Sequence, residues 1–178
     1  MKIKLVITDI DGVWTDGSVY LDSHGNETKK FSTADSIAVG TLAAARIPLA
    51  IISGEGGETA TLRAKELNVP IVMLGVENKL LAASDLCDSL GITLEETAFI
   101  GDDINDILLL ERVGISAVPS NSPSYVKRAA KWELTKKGGE GVFREFVDRI
   151  FQEEGVLEYV LEGYLYPLRS AFQEKKGK

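Results

Sequence analysis

The chain has 178 residues, 44% of them hydrophobic and 26% charged, with a formal charge of −7. That length gives one domain with a sizeable core, and the acidic balance argues against a nucleic-acid partner, which needs a basic face. No apolar run reaches membrane-spanning length, the first residues turn acidic too soon for a signal peptide, and the single cysteine excludes an internal disulfide. A soluble cytoplasmic protein with no membrane partner is the expectation.

The first predicted strand, residues 4–9, is apolar and ends in Asp9; Asp11 and Gly12 follow. Two carboxylates after an uncharged strand add little to a core. They are well placed at the carboxyl edge of a parallel sheet, where open α/β folds bind ligands. Residues 18–31 read as a β-hairpin around an Asp/Ser/Gly/Asn turn, too small for a lid domain. Then come a helix at 34–46, a β-branched strand at 48–52, a helix at 58–67 and a strand at 70–74. A long helix at 77–90 closes at Gly91 and carries Cys87 as a small core residue. A strand at 97–101, a helix at 105–113 and a strand at 114–118 complete the pattern. Strands alternating with helices of this length predict an α/β fold with a parallel sheet. In the C-terminal segment Leu157, Val160, Leu161, Tyr164, Leu165, Leu168 and Phe172 recur at steps of three and four and make one apolar helical face. Gly163 and Pro167 should weaken or kink it. The expected organisation is a core at 1–155 and a helical tail at 156–178, which packs on its own domain or docks on a neighbouring subunit.

Four groups of chemically active residues fall at predicted strand ends or helix starts: Asp9 with Asp11, Ser53 with Gly54, Lys79, and Asp102-Asp103-Ile104-Asn105-Asp106. Each has a plainer reading. Asp and Ser after a strand commonly cap the next helix, and a single lysine is commonly a solvated charge. Their shared position at one sheet edge points instead to a Mg²⁺–phosphate site. Magnesium prefers oxygen ligands, here the carboxylates of Asp9 and Asp102. Asp9 can attack phosphorus to form an aspartyl-phosphate, and Asp11 can protonate the leaving alkoxide and then activate water. Ser53, the Gly54 amide and Lys79 would hold the transferring oxygens. Asp103, Asn105 and Asp106 would orient metal-bound waters and Lys79.

These residues, in this order, resemble the four motifs of the haloacid dehalogenase superfamily of phosphatases. The resemblance implies a Rossmann-like three-layer α/β/α sandwich, Asp9 as nucleophile, Asp11 as acid/base, and Mg²⁺ on the Asp9 and Asp102 side chains and the Asp11 carbonyl. With only a hairpin after the first motif and one βα unit between Ser53 and Lys79, the chain is similar to the capless subfamily. That subfamily includes phosphatases of 3-deoxy-D-manno-octulosonate 8-phosphate (KDO 8-phosphate) and of the nine-carbon KDN 9-phosphate. Trp14-Thr15-Asp16-Gly17, Lys30-Phe31, Asp35-Ser36 and the stretch from Gly138 to Phe146 add to the likeness, which runs from about residue 3 to 150. It implies a small anionic sugar-acid phosphate as substrate and a homotetramer in which hairpins or tails of neighbours close each site. Octulosonate enzymes usually carry an arginine where this chain has Glu55. Glutamate accepts hydrogen bonds from hydroxyls but cannot pair a carboxylate, so the resemblance favours KDN 9-phosphate, with Lys30, Arg63 and Lys65 as candidate cations for the sugar acid. A KDO 8-phosphate phosphatase, or a phosphatase for another small sugar phosphate, is the alternative. A receiver-type signalling domain uses similar residues, but its phospho-acceptor stands alone after a middle strand.

Overall fold

The structure, a computed structural model, describes residues 2–176. In chain order it forms β1 (Leu5–Thr8), a hairpin of β2 (Tyr20–Leu21) and β3 (Glu27–Thr28), α1 (Thr33–Ala44), β4 (Leu49–Ile52), α2 (Glu58–Glu66), β5 (Ile71–Met73) and α3 (Lys79–Leu90). There follow β6 (Thr97–Ile100), α4 (Ile107–Leu110), β7 (Ile115–Val118), α5 (Ser124–Lys127), β8 (Trp132–Glu133), α6 (Val142–Glu153) and α7 (Leu157–Lys176). Six strands make one sheet in the order β5-β4-β1-β6-β7-β8, every adjacent pair parallel. The order reverses about β1, so the crevice outside its carboxyl end lies at the switch point of the sheet.

Alternation along each strand builds two cores. Val6, Ile51, Ala98 and Ile100 face Trp14, α1 and the phenylalanines of α6, while Leu5, Ile7, Ala50, Ile52 and Phe99 face α3 and α4. The result is the expected three-layer α/β/α sandwich. Ser32 caps α1 and Asn78 caps α3, and Gly91 ends α3 in the left-handed conformation. Cys87 is buried and its thiol lies 3.4 Å from the Thr97 hydroxyl. Among the described residues no helix is long and apolar enough to cross a membrane.

Three expectations change. The helix expected at 105–113 is a 3-10 turn, Ile104–Asp106, leading into the short α4, because the Asp106 side chain folds back onto the backbone before it. Two elements, β8 and α6, have no counterpart in the sequence reading; α6 buries Val142, Phe143, Phe146, Val147, Ile150 and Phe151. The boundary expected at residue 155 falls inside the packed body. Val160 is buried, Val156 and Leu157 pack on the same core, and Tyr164 lies over Gly40 of α1. Beyond that contact Tyr166, Leu168 and Phe172 are exposed, and Pro167 sits within the helix. The first half of the tail thus belongs to its own domain.

A buried carboxylate ties α1 to α6. Asp35 accepts the Arg144 amide at 2.9 Å on Oδ1, while its Oδ2 is buried without a partner. Burial pushes its carboxyl up to about 6, against the pull of the Arg144 amide, Lys136 and Arg63.

Candidate active site

β1 delivers Asp9 to the middle of the carboxyl edge. The Asp9 amide donates to the Ile100 carbonyl at 3.0 Å, extending the β1–β6 pairing by one residue. Its own carbonyl accepts the Thr8 hydroxyl at 2.7 Å, and that hydroxyl accepts the Trp14 indole N–H at 3.0 Å. Its carboxylate accepts the Ile10 amide on Oδ1, at 2.7 Å, and the Lys79 ammonium on Oδ2. The chain then winds around the Ile10 carbonyl, which accepts the amides of Val13, Trp14 and Thr15. Gly12, inside this turn, has φ +75°, and a Cβ there would stand 1.9 Å from Asp102 Oδ2. Only glycine allows both the dihedral and the approach.

Ser53 directly follows β4, its amide donating to the Met73 carbonyl and its carbonyl accepting the Val76 amide, both at 3.0 Å. Lys79 opens α3 and turns inward; its fully buried ammonium lies between Asp9 and Asp106, 2.6 Å from Asp106 Oδ1. A charge so deep must be paired. Asp106 Oδ2 accepts the amides of Asp102, at 2.8 Å, and Asp103, at 3.2 Å, which produces the 3-10 turn.

The electrostatics follow from this crowding. Burial pushes Asp9 up to about 6, with Asp106 adding to the shift and Lys79 opposing it. Burial raises Asp102 to about 8, helped by Asp9, Asp106 and Asp103 and again opposed by Lys79. Burial also pulls the Lys79 ammonium down, but Asp9 and Asp106 outweigh it and leave it raised. The edge therefore holds more potential negative charge than its buried lysine balances, a situation a divalent cation relieves. Carboxylate oxygens of Asp9, Asp102 and Asp106 lie within 4.8 Å of one another. Asp106 is fully buried and does not reach the cleft, whereas Asp9 and Asp102 line it, so Asp9 and Asp102 are the side chains fit to ligate, and an all-oxygen set suits magnesium.

Asp9, Asp11, Ser53, Gly54 and Asp102 surround one cleft of about 660 Å³, with the exposed Glu55, Asp103 and Asn105 also around it. Lys79 lies beneath it. The three candidate cations do not line it. Lys30 is exposed and 3.0 Å from Asp16, and Lys65 is exposed on α2. Arg63 is held elsewhere by Ser36 Oγ and Glu66, both at 2.8 Å, and lies 5.6 Å from the centre of the Phe31 ring. A second lysine, Lys29, absent from the sequence reading, reaches the acids of the site from the hairpin. Its side chain is 2% exposed and its ammonium lies 2.8 Å from Asp11, 3.6 Å from Glu55 and 3.7 Å from Glu27. Alternation along the hairpin exit sends one of Lys29 and Lys30 inward, which is the only signal the sequence holds.

The profile of the haloacid dehalogenase-like hydrolases matches residues 25–146, well over half of the chain. The chain belongs to that family. This hydrolase is 36% identical over 174 residues to the 3-deoxy-D-manno-octulosonate 8-phosphate phosphatase of Haemophilus influenzae, covering 97% of each chain. The same-named enzyme of Moraxella catarrhalis, solved in complex with magnesium, phosphate and a KDO molecule, superposes with a TM-score of 0.87 at 32% identity, covering 90% of this chain and 92% of that one. The cobalt-bound Haemophilus influenzae phosphatase gives a TM-score of 0.85 at 37% identity, over 92% and 97% of the two chains.

Proposed function

We propose that this hydrolase is a magnesium-dependent phosphatase for a 3-deoxy-ulosonate phosphate, acting through an aspartyl-phosphate. The observation that carries the reading is the meeting of Asp9, Ser53, Lys79 and Asp102 at one switch-point crevice, in a chain whose relatives bear that activity along nearly their full length. Magnesium bound to Asp9, Asp102 and the Asp11 carbonyl would neutralise charge between the phosphate and the attacking carboxylate. Asp9 oxygen forms a bond to phosphorus as the ester P–O bond breaks, and Asp11 gives its proton to the departing alkoxide. Asp11, now ionised, takes a proton from water as that water attacks phosphorus and frees Asp9. Ser53, the Gly54 amide and the remaining Lys79 N–H would donate to the phosphoryl oxygens, and Asp103 and Asn105 would orient waters on the metal.

The relatives' names support KDO 8-phosphate as substrate. A second reading, KDN 9-phosphate, is favoured by Glu55 at the cleft in place of the arginine of octulosonate enzymes. Among the described residues, carboxylates but no lysine or arginine line the cleft, so a sugar acid would draw its counter-charge from the metal or another subunit. Exposed Tyr20 and Leu21 on the hairpin, and Phe172 on the distal tail, suit the expected tetramer, in which neighbours cover each cleft. Phosphate release from both sugar-acid phosphates in Mg²⁺ tests the reading. One of them should turn over well, Asp9→Asn should abolish it, and Glu55→Arg should shift the ratio toward KDO 8-phosphate. Undiminished turnover by Asp9→Asn removes the nucleophile assignment.

A further inference from the structure

Asp9 and Asp11 each have a lysine of their own. Lys79, from α3, takes Asp9 from below. Lys29 comes off the end of the hairpin and takes Asp11 Oδ2 at 2.8 Å. Asp11 Oδ1 in turn accepts the hydroxyl of the fully buried Thr15 at 3.1 Å. The two grips act on opposite oxygens, so the carboxylate cannot turn about its own axis without breaking one. Lys29 is an unusual residue to find buried on a two-stranded hairpin whose other residues face solvent. Desolvating an ammonium is costly unless partners surround it, and Asp11, Glu27 and Glu55 do so.

We infer that Lys29 is a positioning residue for Asp11, aiming with Thr15 the carboxyl that delivers the proton to the leaving group. Asp11 stands in a loop beyond the end of β1, where no sheet hydrogen bond fixes its side chain. Proton transfer needs heavy atoms about 2.6–3.2 Å apart, and a displacement of about 1 Å can cost about a hundredfold. The hairpin is then part of the catalytic apparatus of its own subunit as well as a cover. The inference rests on the reading of Asp11 as the proton donor.

Leaving-group dependence separates aiming from mere support. Phenoxide needs a proton far more than p-nitrophenoxide does, so kcat/KM on phenyl phosphate and on p-nitrophenyl phosphate responds differently to a misplaced acid. Lys29→Met keeps the apolar stem and removes the charge. It is expected to lose about tenfold or more on phenyl phosphate and less than about threefold on p-nitrophenyl phosphate, with far-UV circular dichroism unchanged. Thr15→Val, which cuts the opposite grip, should show the same asymmetry, and Lys29→Arg should recover part of the phenyl phosphate rate. Equal losses on the two esters, or no loss on either, overturn the inference. Should Lys29→Met fail to fold, the Thr15→Val ratio decides. Asp11→Asn is the control: if it keeps the phenyl phosphate rate, the proton-donor reading itself fails, whatever Lys29 does.

Discussion

Replacing Asp35 by asparagine should make the protein relatively more stable as pH rises. In the folded state the Asp35 carboxyl ionises near 6, against an ordinary value of 3.8. Between those values the native state holds a proton that the unfolded chain has released, so stability falls as pH rises through this window. At pH 8 both states are ionised and the full penalty applies, about 3 kcal/mol for a shift of about two units. At pH 4.5 the unfolded carboxyl is mostly ionised while the native one is mostly protonated, and about 1 kcal/mol of that penalty is already present. The difference in stability between Asp35→Asn and the parent should therefore move by about 2 kcal/mol in the variant's favour from pH 4.5 to pH 8. Asparagine keeps an oxygen for the Arg144 amide, and any fixed cost of seating its NH₂ where Oδ2 now lies unpartnered is the same at both pH values and cancels. Urea titrations of both proteins at the two pH values measure the change directly. A stability difference that stays constant with pH, or moves the other way, would refute the claim that burial governs this carboxyl.

Three more perturbations probe other links. Phe143→Ala removes a fully buried ring whose centre lies 5.2 Å from that of Trp14; it should cost about 3–5 kcal/mol and alter the tryptophan fluorescence, and a smaller loss in urea titration would mean that the site collapses. Gly12→Ala forces a methyl toward Asp102 and a side chain into positive φ; catalysis should fall by about a hundredfold and the magnesium needed for half-maximal rate should rise, whereas wild-type magnesium dependence would place Asp102 outside the metal site. Ending the chain after Tyr164 keeps the packed half of α7 and removes Tyr166, Leu168 and Phe172; light scattering should show a smaller assembly or kinetics a lower kcat, and if neither changes the distal tail serves no neighbour.

Much of the catalytic edge is readable in the sequence because position in an α/β fold is dictated by period and order. A β-branched run followed by acid or hydroxyl, repeated after β1, β4 and β6, can only bring those residues to one edge. The cations are another matter. Lys29 and Lys30 are neighbours of the same type, and which one faces inward depends on the register of two strands of two residues each, too short to show alternation. Arg63 looks like a free cation in the sequence, but its fate is set by Phe31 and Ser36, which reach it only through the tertiary fold. β8 has two residues and leaves no periodic trace. α6 does leave one, with Val142, Phe143, Phe146, Val147, Ile150 and Phe151 on one face; the glycines just before it draw the eye to a loop and hide the helix start.

Those glycines set an order of events on the ribosome. Every side chain assigned to the chemistry has been synthesised by Asp106. Yet the turn that carries Asp11 is shored up from much later in the chain: Gly138 packs so tightly that a Cβ there would lie 1.9 Å from the Gly12 carbonyl oxygen, and Gly139 donates to the Val13 carbonyl at 2.9 Å. Beneath the turn, Trp14 rests on Phe143. A nascent chain that ends before Gly138 thus carries every acid of the site but not the glycines and the phenylalanine that pack against the turn after Asp9. Packing of that turn is complete only when residues 138–143 fold back onto the first fifteen residues.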